Sequence, residues 1–82
     1  MEETRVAVIG IIVEKPESAE KVNSVLHEYG SCIVGRMGIP YRQKGINIIS
    51  VAVDAPQDRI SALSGKLGRI DGVSVKAAYA KV

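Results

Sequence analysis

The fold is decided by residues 4–16, which read TRVAVIGIIVEKP. Apolar side chains occupy both alternating phases up to Val13, which is typical of a central strand that is covered on both faces. Pro16 then opens a helix, because proline is favoured at the first helical position. Forty residues later Val53-Asp54-Ala55-Pro56 repeats the pattern of Val13-Glu14-Lys15-Pro16. The chain therefore contains two similar strand-to-helix passages.

Each passage leads into an amphipathic helix. Apolar residues recur at a spacing of three or four after Pro16 and again after Pro56, and each set forms one buried stripe. The first stripe comprises Ala19, Val22, Val25, Leu26 and Tyr29, and the second Ile60, Leu63, Leu67 and Ile70. Gly30 is well placed to end the first helix in a left-handed conformation.

Three further strands complete the pattern. We predict them over residues 31–39, 46–54 and 73–80, with a polar turn at residues 40–45. Two glycines in the first of these indicate a bulge, an edge position or a close backbone contact. The order βαββαβ predicts one α+β domain over residues 1–82 with the ferredoxin-like topology. Right-handed crossovers place both helices on one face of an antiparallel sheet ordered fourth, first, third, second strand.

This topology leaves the other face of the sheet without a helix. If Ile9, Ile11 and Val13 face the helices, the alternate residues of the two central strands face outward. We predict that these outward residues form an oligomer interface, namely Val8, Gly10, Ile12, Ile46, Ile48, Ser50 and Ala52 together with Val6. Contiguous exposed apolar patches mark interfaces. The chain has one cysteine and so no internal disulfide, and a domain of 82 residues often needs such support. We expect a dimer or a tetramer.

Composition places the chain among globular proteins. It is 46% hydrophobic and 24% charged. No apolar run approaches the roughly 18 residues that a membrane helix needs. Residues 1–5 lack a signal-peptide profile, so we expect a cytoplasmic protein with no membrane partner.

The sequence offers little for catalysis or for metal binding. His27 and Cys32 lie five positions apart across a helix end, and the acids within residues 14–17 and 54–58 suit the positive ends of helix dipoles. One histidine and one cysteine are too few for a metal site within one chain, although a site shared between chains stays open. The central strands lack aromatic residues on which RNA bases stack, and no element is spare for DNA. We therefore predict a non-enzyme without a cofactor or a nucleic-acid-binding element.

One segment concentrates positive charge. No acidic residue lies between Glu28 and Asp54, whereas Arg36, Arg42 and Lys44 do. This is either a solvated loop or a patch that attracts anions. On the second interpretation a small anionic ligand contacts Arg36, Arg42 or Lys44, and Tyr41 adds a hydroxyl group.

Arg36 shares its alternation phase with Cys32 and Val34, and we place all three on the sheet face without helices. A charge there belongs at the rim of an interface or is paired by an acid of another chain, for which Glu14 and Asp54 are available. The ligand contact and the interchain ion pair are both open.

Four segments carry a resemblance to a known family. Residues 33–42, IVGRMGIPYR, followed by Gly45 and Ile46, resemble the signature of iron-only hydrogenase system regulators, which are short stand-alone ACT-like proteins. Residues 8–14, 22–29 and 63–68 are similar to that family too. The C-terminal domain of nickel-responsive repressors is a wider relative. The resemblance implies a regulatory role around hydrogenase expression or maturation.

Two functions of different kinds fit these observations. The first is a regulatory module that acts as a homo-oligomeric sensor of a small ligand or as a docking domain for a protein partner. The second is a structural accessory subunit without a ligand. The hairpin between Arg36 and Gly45 separates them, because its charges converge on a pocket in a sensor and spread over open surface in a docking subunit.

Overall fold

The computed structural model describes residues 3–81, so Met1, Glu2 and Val82, at the ends of the domain expected over residues 1–82, lie outside the described part. Within it the elements follow the predicted order βαββαβ. The strands are β1 (Arg5–Val13), β2 (Ile33–Tyr41), β3 (Ile46–Ala55) and β4 (Val73–Tyr79), and the helices are α1 (Ala19–Glu28) and α2 (Gln57–Gly68). Short 3₁₀ turns cover Pro16–Ser18, Gly30–Cys32 and Arg42–Lys44.

The four strands form one antiparallel sheet in the order β2-β3-β1-β4, as predicted. The two central strands pair along their whole length, from Arg5 opposite Ala55 to Val13 opposite Asn47. The outer strands β2 and β4 are edges. This arrangement confirms the ferredoxin-like topology.

The hydrophobic core lies between the helices and one face of the sheet. The strand residues predicted to face the helices are buried there, together with the centres of both helical stripes. The largest fully buried side chains are Ile9, Ile11, Val13, Val22, Leu26, Val51, Val53, Ile60, Leu63 and Leu67. Burial of each such side chain stabilises the fold by about 1.5–3 kcal/mol, so this layer holds the sheet against the helices.

The opposite face of the sheet, here called the open face, carries no helix. The seven residues that the sequence placed in an interface all lie on it, and each is half-buried or exposed in the protomer. They are Val8, Gly10, Ile12, Ile46, Ile48, Ser50 and Ala52. Alternation with the buried residues confirms their placement, since successive strand residues point to opposite faces.

Strand β2 differs from the prediction at both ends. Ser31 and Cys32 belong to a 3₁₀ turn, whereas Pro40 and Tyr41 continue the strand. Proline is tolerated at this position because an edge strand has one row of N–H groups that pairs with no neighbour. Gly30 does not adopt the left-handed conformation that we expected. Helix α1 instead passes directly into the 3₁₀ turn Gly30–Cys32.

A β-bulge in β2 changes the face on which Arg36 lies. Ile33 pairs with Val53 and Gly35 with Ala52, so Val34 is an extra residue without a partner on β3. Arg36 is consequently opposite the buried Val51 and lies on the helix side. The prediction that Arg36 and Cys32 share the open face was therefore wrong. A bulge inserts one residue into the alternation and reverses the faces of the residues on its two sides.

Candidate functional site

Arg36 approaches helix α1 from the edge of the sheet. Its Nη2 atom donates a hydrogen bond of 3.0 Å to Oδ1 of Asn23, which lies on α1. Strand β2 is exposed along its length beyond Ile33, because no helix covers this edge. The guanidinium group therefore spans the gap between α1 and the sheet edge.

This gap is a small cleft, here called the Arg36 cleft. Its volume is about 230 Å³. It is formed by the first half of α1 on one side and by the β2–β3 pair on the other, and its lining residues are Ala19, Asn23, Arg36, Gly38, Pro40, Asn47 and Ile49 with the neighbouring Ile39. Asn23 and Arg36 also border a wider, more open depression along α1. The smaller cleft is the candidate site because its lining combines Arg36, its one charged residue, with two asparagine amides and an apolar surface.

The polar groups of the cleft come from three elements. Arg36 supplies the one positive charge, and Asn23 and Asn47 supply amides. Within residues 3–81 the Asn47 side chain makes no hydrogen bond, and Asn23 uses only its carbonyl oxygen. Both side-chain NH₂ groups are thus available as donors. Ile49, Pro40 and Ala19 provide an apolar wall.

Gly38 leaves room in the floor of the cleft. It pairs with the helix-facing Ile49, so a side chain at this position would project to the helix side. A Cβ atom built there would meet no heavy atom within 4 Å. The absence of a side chain at Gly38 therefore contributes part of the free volume.

Within residues 3–81 no acidic side chain forms an ion pair with Arg36. The described part of the chain contains two ion pairs, Lys15–Asp71 and Lys66–Glu28, and both lie elsewhere. The Lys15 ammonium group donates a hydrogen bond to Asp71, which holds the pKa of that carboxyl group below the 3.8 of a free aspartate. A hydrogen bond to Glu28 likewise raises the pKa of Lys66.

The other residues predicted to bind a ligand lie apart from Arg36. Tyr41 is opposite Ile46 and so belongs to the open face, where its hydroxyl contacts Gln43 at 3.1 Å. Arg42 and Lys44 lie in the exposed 3₁₀ turn that joins β2 to β3. Six residues of extended strand separate Arg36 from Arg42 by about 20 Å. Within one protomer the four residues do not share a pocket.

Sequence reasoning missed two groups of residues. Asn23 and Asn47 complete the cleft, and neither has a local pattern that marks it, because the packing of separate elements brings Asn23 to Arg36 and Asn47 to Pro40. Met37 and Ile39 lie on the open face, opposite Ser50 and Ile48, and are 58% and 46% exposed. The bulge hid this extension of the apolar surface.

A second polar cluster lies where α2 meets the start of β2. Arg59 donates a hydrogen bond of 3.4 Å to the Cys32 sulfur, which raises the pKa of Arg59. The Arg59 and Lys66 cations lie 5.0 and 5.5 Å from the centre of the Tyr29 ring. These contacts join α2 to the end of α1, and cation–π pairs of this kind stabilise tertiary structure.

Two features are absent from the described residues. No group of three His, Cys, Asp or Glu side chains within residues 3–81 lies close enough together to hold a metal ion. None of the helices in that range has the length and hydropathy that crossing a membrane requires.

Comparison with known families identifies the chain. The sequence profile described as "TM1266-like: Iron-only hydrogenase system regulator, putative" matches residues 5–77. The chain belongs to this family of iron-only hydrogenase system regulators. The match includes β2 and the whole Arg36 cleft, and it confirms the resemblance carried by residues 33–42.

Solved structures agree with this family assignment. The uncharacterized protein TM1266 from Thermotoga maritima is 38% identical, with a TM-score of 0.92 over 96% of this chain and 100% of that chain. The C-terminal domain of the MgtC protein from Mycobacterium tuberculosis is 13% identical, with a TM-score of 0.75 over 99% of this chain and 93% of that domain. The latter likeness shows the fold alone.

A third structure contains the same fold within a longer chain. The formyltetrahydrofolate deformylase from Pseudomonas putida KT2440 is 16% identical, with a TM-score of 0.63 over 89% of this chain and 28% of that chain. This chain therefore shares its fold with a small part of that enzyme. No curated protein is significantly similar to the chain.

Proposed function

We propose that the chain is a non-catalytic regulatory module of an iron-only hydrogenase system and that it works as a homo-oligomer assembled through the open face. The observation that carries this proposal is the uncovered apolar surface of the sheet. Family membership supplies the regulated system. The surface supplies the means of assembly.

The open face is apolar across three neighbouring strands. One row perpendicular to the strands consists of Ile39, Ile48 and Ile12. A parallel row contains Ala52 and Val8, and Val8 is 46% exposed. A contiguous aliphatic surface of this kind is unfavourable in water and favours burial against a partner.

The size of the open face fits a stable interface. Strands of nine residues are about 30 Å long and four strands are about 19 Å wide. The flat area is thus about 570 Å², and the accessible area of the pleated, side-chain-covered surface is larger. A specific interface buries about 800 Å² on each partner, so the face is large enough for one copy of a similar surface.

A second copy of the chain is the occupant that fits this surface. Two charged residues lie on the open face, Asp54 in β3 and Lys76 in β4, and they are opposite in sign. Neither forms an ion pair within residues 3–81. A two-fold interface requires a surface that complements itself, and one acid and one base on the same flat face meet that requirement.

The hairpin tip supports docking of a partner as a second role. Tyr41, Arg42 and Lys44 are exposed there. The sequence predicted that they contact an anion, and because they are exposed, we propose that this anion belongs to a partner outside the protomer. Because they are spread over open surface, an acidic segment of another protein suits them better than an enclosed small molecule. The structural accessory subunit without a ligand is the competing function.

Sedimentation of Ile48→Asp tests the assembly. We expect the wild-type protein at a multiple of 8.8 kDa and Ile48→Asp at the monomer mass or unfolded, because an unpaired carboxylate in the interface costs several kcal/mol. Ala62→Asp is the matched control, since it places the same charge on an exposed position of α2. A wild-type protein that sediments as a monomer at micromolar concentration contradicts the proposal.

A further inference from the structure

We propose that the Arg36 cleft binds a small monocarboxylate, with the carboxylate group on Arg36 and a short apolar chain against Ile49 and Pro40. This inference rests on the proposed function in one respect, since it names the ligand class to which the regulatory module responds. The site is distinct from the open face and lies on the other side of the sheet.

The position of Arg36 favours a carboxylate ligand. One N–H group of the guanidinium is bound to Asn23, and this contact holds the side chain over the cleft. The guanidinium has further N–H donors in a planar fork, a shape that matches the two oxygens of a carboxylate. The Asn23 amide adds a neutral donor beside it, whereas Asn47 lies opposite Pro40 at the other end of the cleft.

The charge and size of the cleft restrict the ligand further. Arg36 is the one cation among its lining residues, so a single negative charge is balanced there. The volume of about 230 Å³ lies below the roughly 300–1,000 Å³ of pockets for drug-sized ligands. A ligand of a few non-hydrogen atoms fits this volume.

The remaining lining is apolar and partly empty. Ala19, Pro40 and Ile49 are the apolar lining residues beside the amides, and Gly38 leaves open space next to Ile49 in the floor. An alkyl group placed against Ile49 removes apolar surface from water. The cleft thus has a charged end at Arg36 followed by an apolar stretch at Gly38 and Ile49, and a short carboxylic acid likewise has a charged group next to an apolar one.

Nuclear magnetic resonance of the full chain tests the proposal with propionate as the probe. We titrate ¹⁵N-labelled protein with sodium propionate and, at the same ionic strength, with sodium chloride. We expect propionate alone to shift the backbone amide of Gly38 and the side-chain amide of Asn23 along saturable curves. Shifts that are equal for both salts, or that centre on Arg42 and Lys44, overturn the proposal.

Two variants locate the site by opposite means. Arg36→Ala removes the charge, and Gly38→Leu fills the floor of the cleft without a left-handed backbone or a close contact. We expect each to weaken propionate binding at least tenfold. Arg42→Ala is the matched control, because it removes an exposed arginine of the same hairpin outside the cleft, and we expect unchanged affinity. Wild-type affinity in both cleft variants contradicts the proposal, and Gly38→Leu decides the matter if Arg36→Ala does not fold.

The failure of this inference can be told from failure of the proposed function. Positions 36 and 38 lie on the helix side of the sheet, away from the open face that forms the proposed interface. We therefore expect Arg36→Ala and Gly38→Leu to sediment with the wild-type mass. Propionate binding by a monomeric wild-type protein refutes assembly and upholds the site. An intact oligomer that does not bind propionate upholds assembly and refutes the site.

Discussion

Arg36 on the edge strand β2 and Asn23 on helix α1 are joined by a hydrogen bond of 3.0 Å across a gap that no other side-chain hydrogen bond within residues 3–81 bridges. The two residues are thirteen positions apart in the chain. The bond sets the direction of the guanidinium group and leaves most of its donors free. The cleft therefore contains one positive charge, on Arg36, which Asn23 holds in a fixed direction and which forms no ion pair within residues 3–81.

Asn23→Asp should place a carboxylate beside Arg36 that competes with an anionic ligand for the guanidinium group. A carboxylate at position 23 forms a charge-assisted bond with Arg36 and occupies the fork that a ligand would use. We expect propionate affinity to fall at least tenfold, while the free energy of unfolding changes by no more than about 1 kcal/mol because the pair is exposed. Calorimetry and urea unfolding measure the two effects. Ser24→Asp, one position further on an exposed part of α1, is the control that should bind propionate normally.

Ile39→Asp should weaken the oligomer as Ile48→Asp does. Ile39 lies opposite Ile48 on the open face, so it extends the proposed interface to the edge of the sheet. We expect the dissociation constant of the oligomer to rise at least tenfold in sedimentation, because a charge replaces an apolar contact. Gln43→Asp, in the turn of the same hairpin, should leave it unchanged. An unaffected oligomer in Ile39→Asp would restrict the interface to β1 and β3.

Gly72→Ala should be the most costly of three glycine substitutions. Gly72 has a φ of 77°, and an added Cβ would lie 2.7 Å from Cγ of Lys15. Gly45 has a φ of 65° but open space around it. A left-handed backbone costs a non-glycine residue about 1–2 kcal/mol, so Gly45→Ala should lose that amount and Gly72→Ala more.

Gly68→Ala is the matched control for both substitutions. Gly68 ends α2, has no left-handed φ and meets nothing within 4 Å. Alanine has the higher helix propensity, so we expect no loss of stability and a gain of up to about 1 kcal/mol. Chemical denaturation of the three variants gives the order directly. Equal losses at positions 45 and 72 would show that the Lys15 side chain moves away without cost.

The Lys15–Asp71 pair should contribute to stability in a pH-dependent manner. The folded protein holds the pKa of Asp71 below 3.8, chiefly through the hydrogen bond from Lys15, so the folded state binds fewer protons than the unfolded state near that pH. The contribution is therefore present above pH 3.8 and is lost as the pH falls through the folded pKa. We expect Asp71→Asn to lower the Tm slightly at pH 7 and the difference to vanish in acid.

The effect should be small and sensitive to salt. The two side chains are 48% and 81% exposed, and exposed ion pairs are screened by solvent and ions. Glu20→Gln, which removes an exposed acid outside the ion pairs of the described residues, should show no comparable pH dependence. A Tm difference for Asp71→Asn that persists at low pH would assign the effect to the loop backbone, where Ser18 donates to the Asp71 carbonyl.

The sheet order and the core followed from residue patterns alone. The repeated passage at Pro16 and Pro56 marks two strand-to-helix units, and only a few connections join such units without crossing. Alternation in β1 and β3 separated Ile9 and Val51, which are buried, from Val8 and Ile48, which are not. These assignments depend only on local sequence, because side chains alternate between the two faces of a strand whichever strands pair with it.

The face of Arg36 was decided only by tertiary structure. Counting alternate residues from Cys32 places Arg36 on the open face, but β3 pairs with Ile33 and Gly35 and leaves Val34 unpaired between them. The two glycines of β2 indicated a bulge or an edge position, but not which residue is left out of the ladder, since the bulge arises from the best overall pairing with a strand that begins five positions after β2 ends.

The β-bulge at Val34 determines both the lining of the Arg36 cleft and the extent of the open face. Once Val34 is displaced, Arg36 turns toward Asn23, Gly38 toward Ile49, and Met37 and Ile39 toward the open face. The amino-acid sequence by itself determined which segments become strands and helices and that one sheet face stays apolar. The three-dimensional pairing of β2 with β3 decided which residues meet, because a single unpaired residue reverses every side chain between the bulge and the turn.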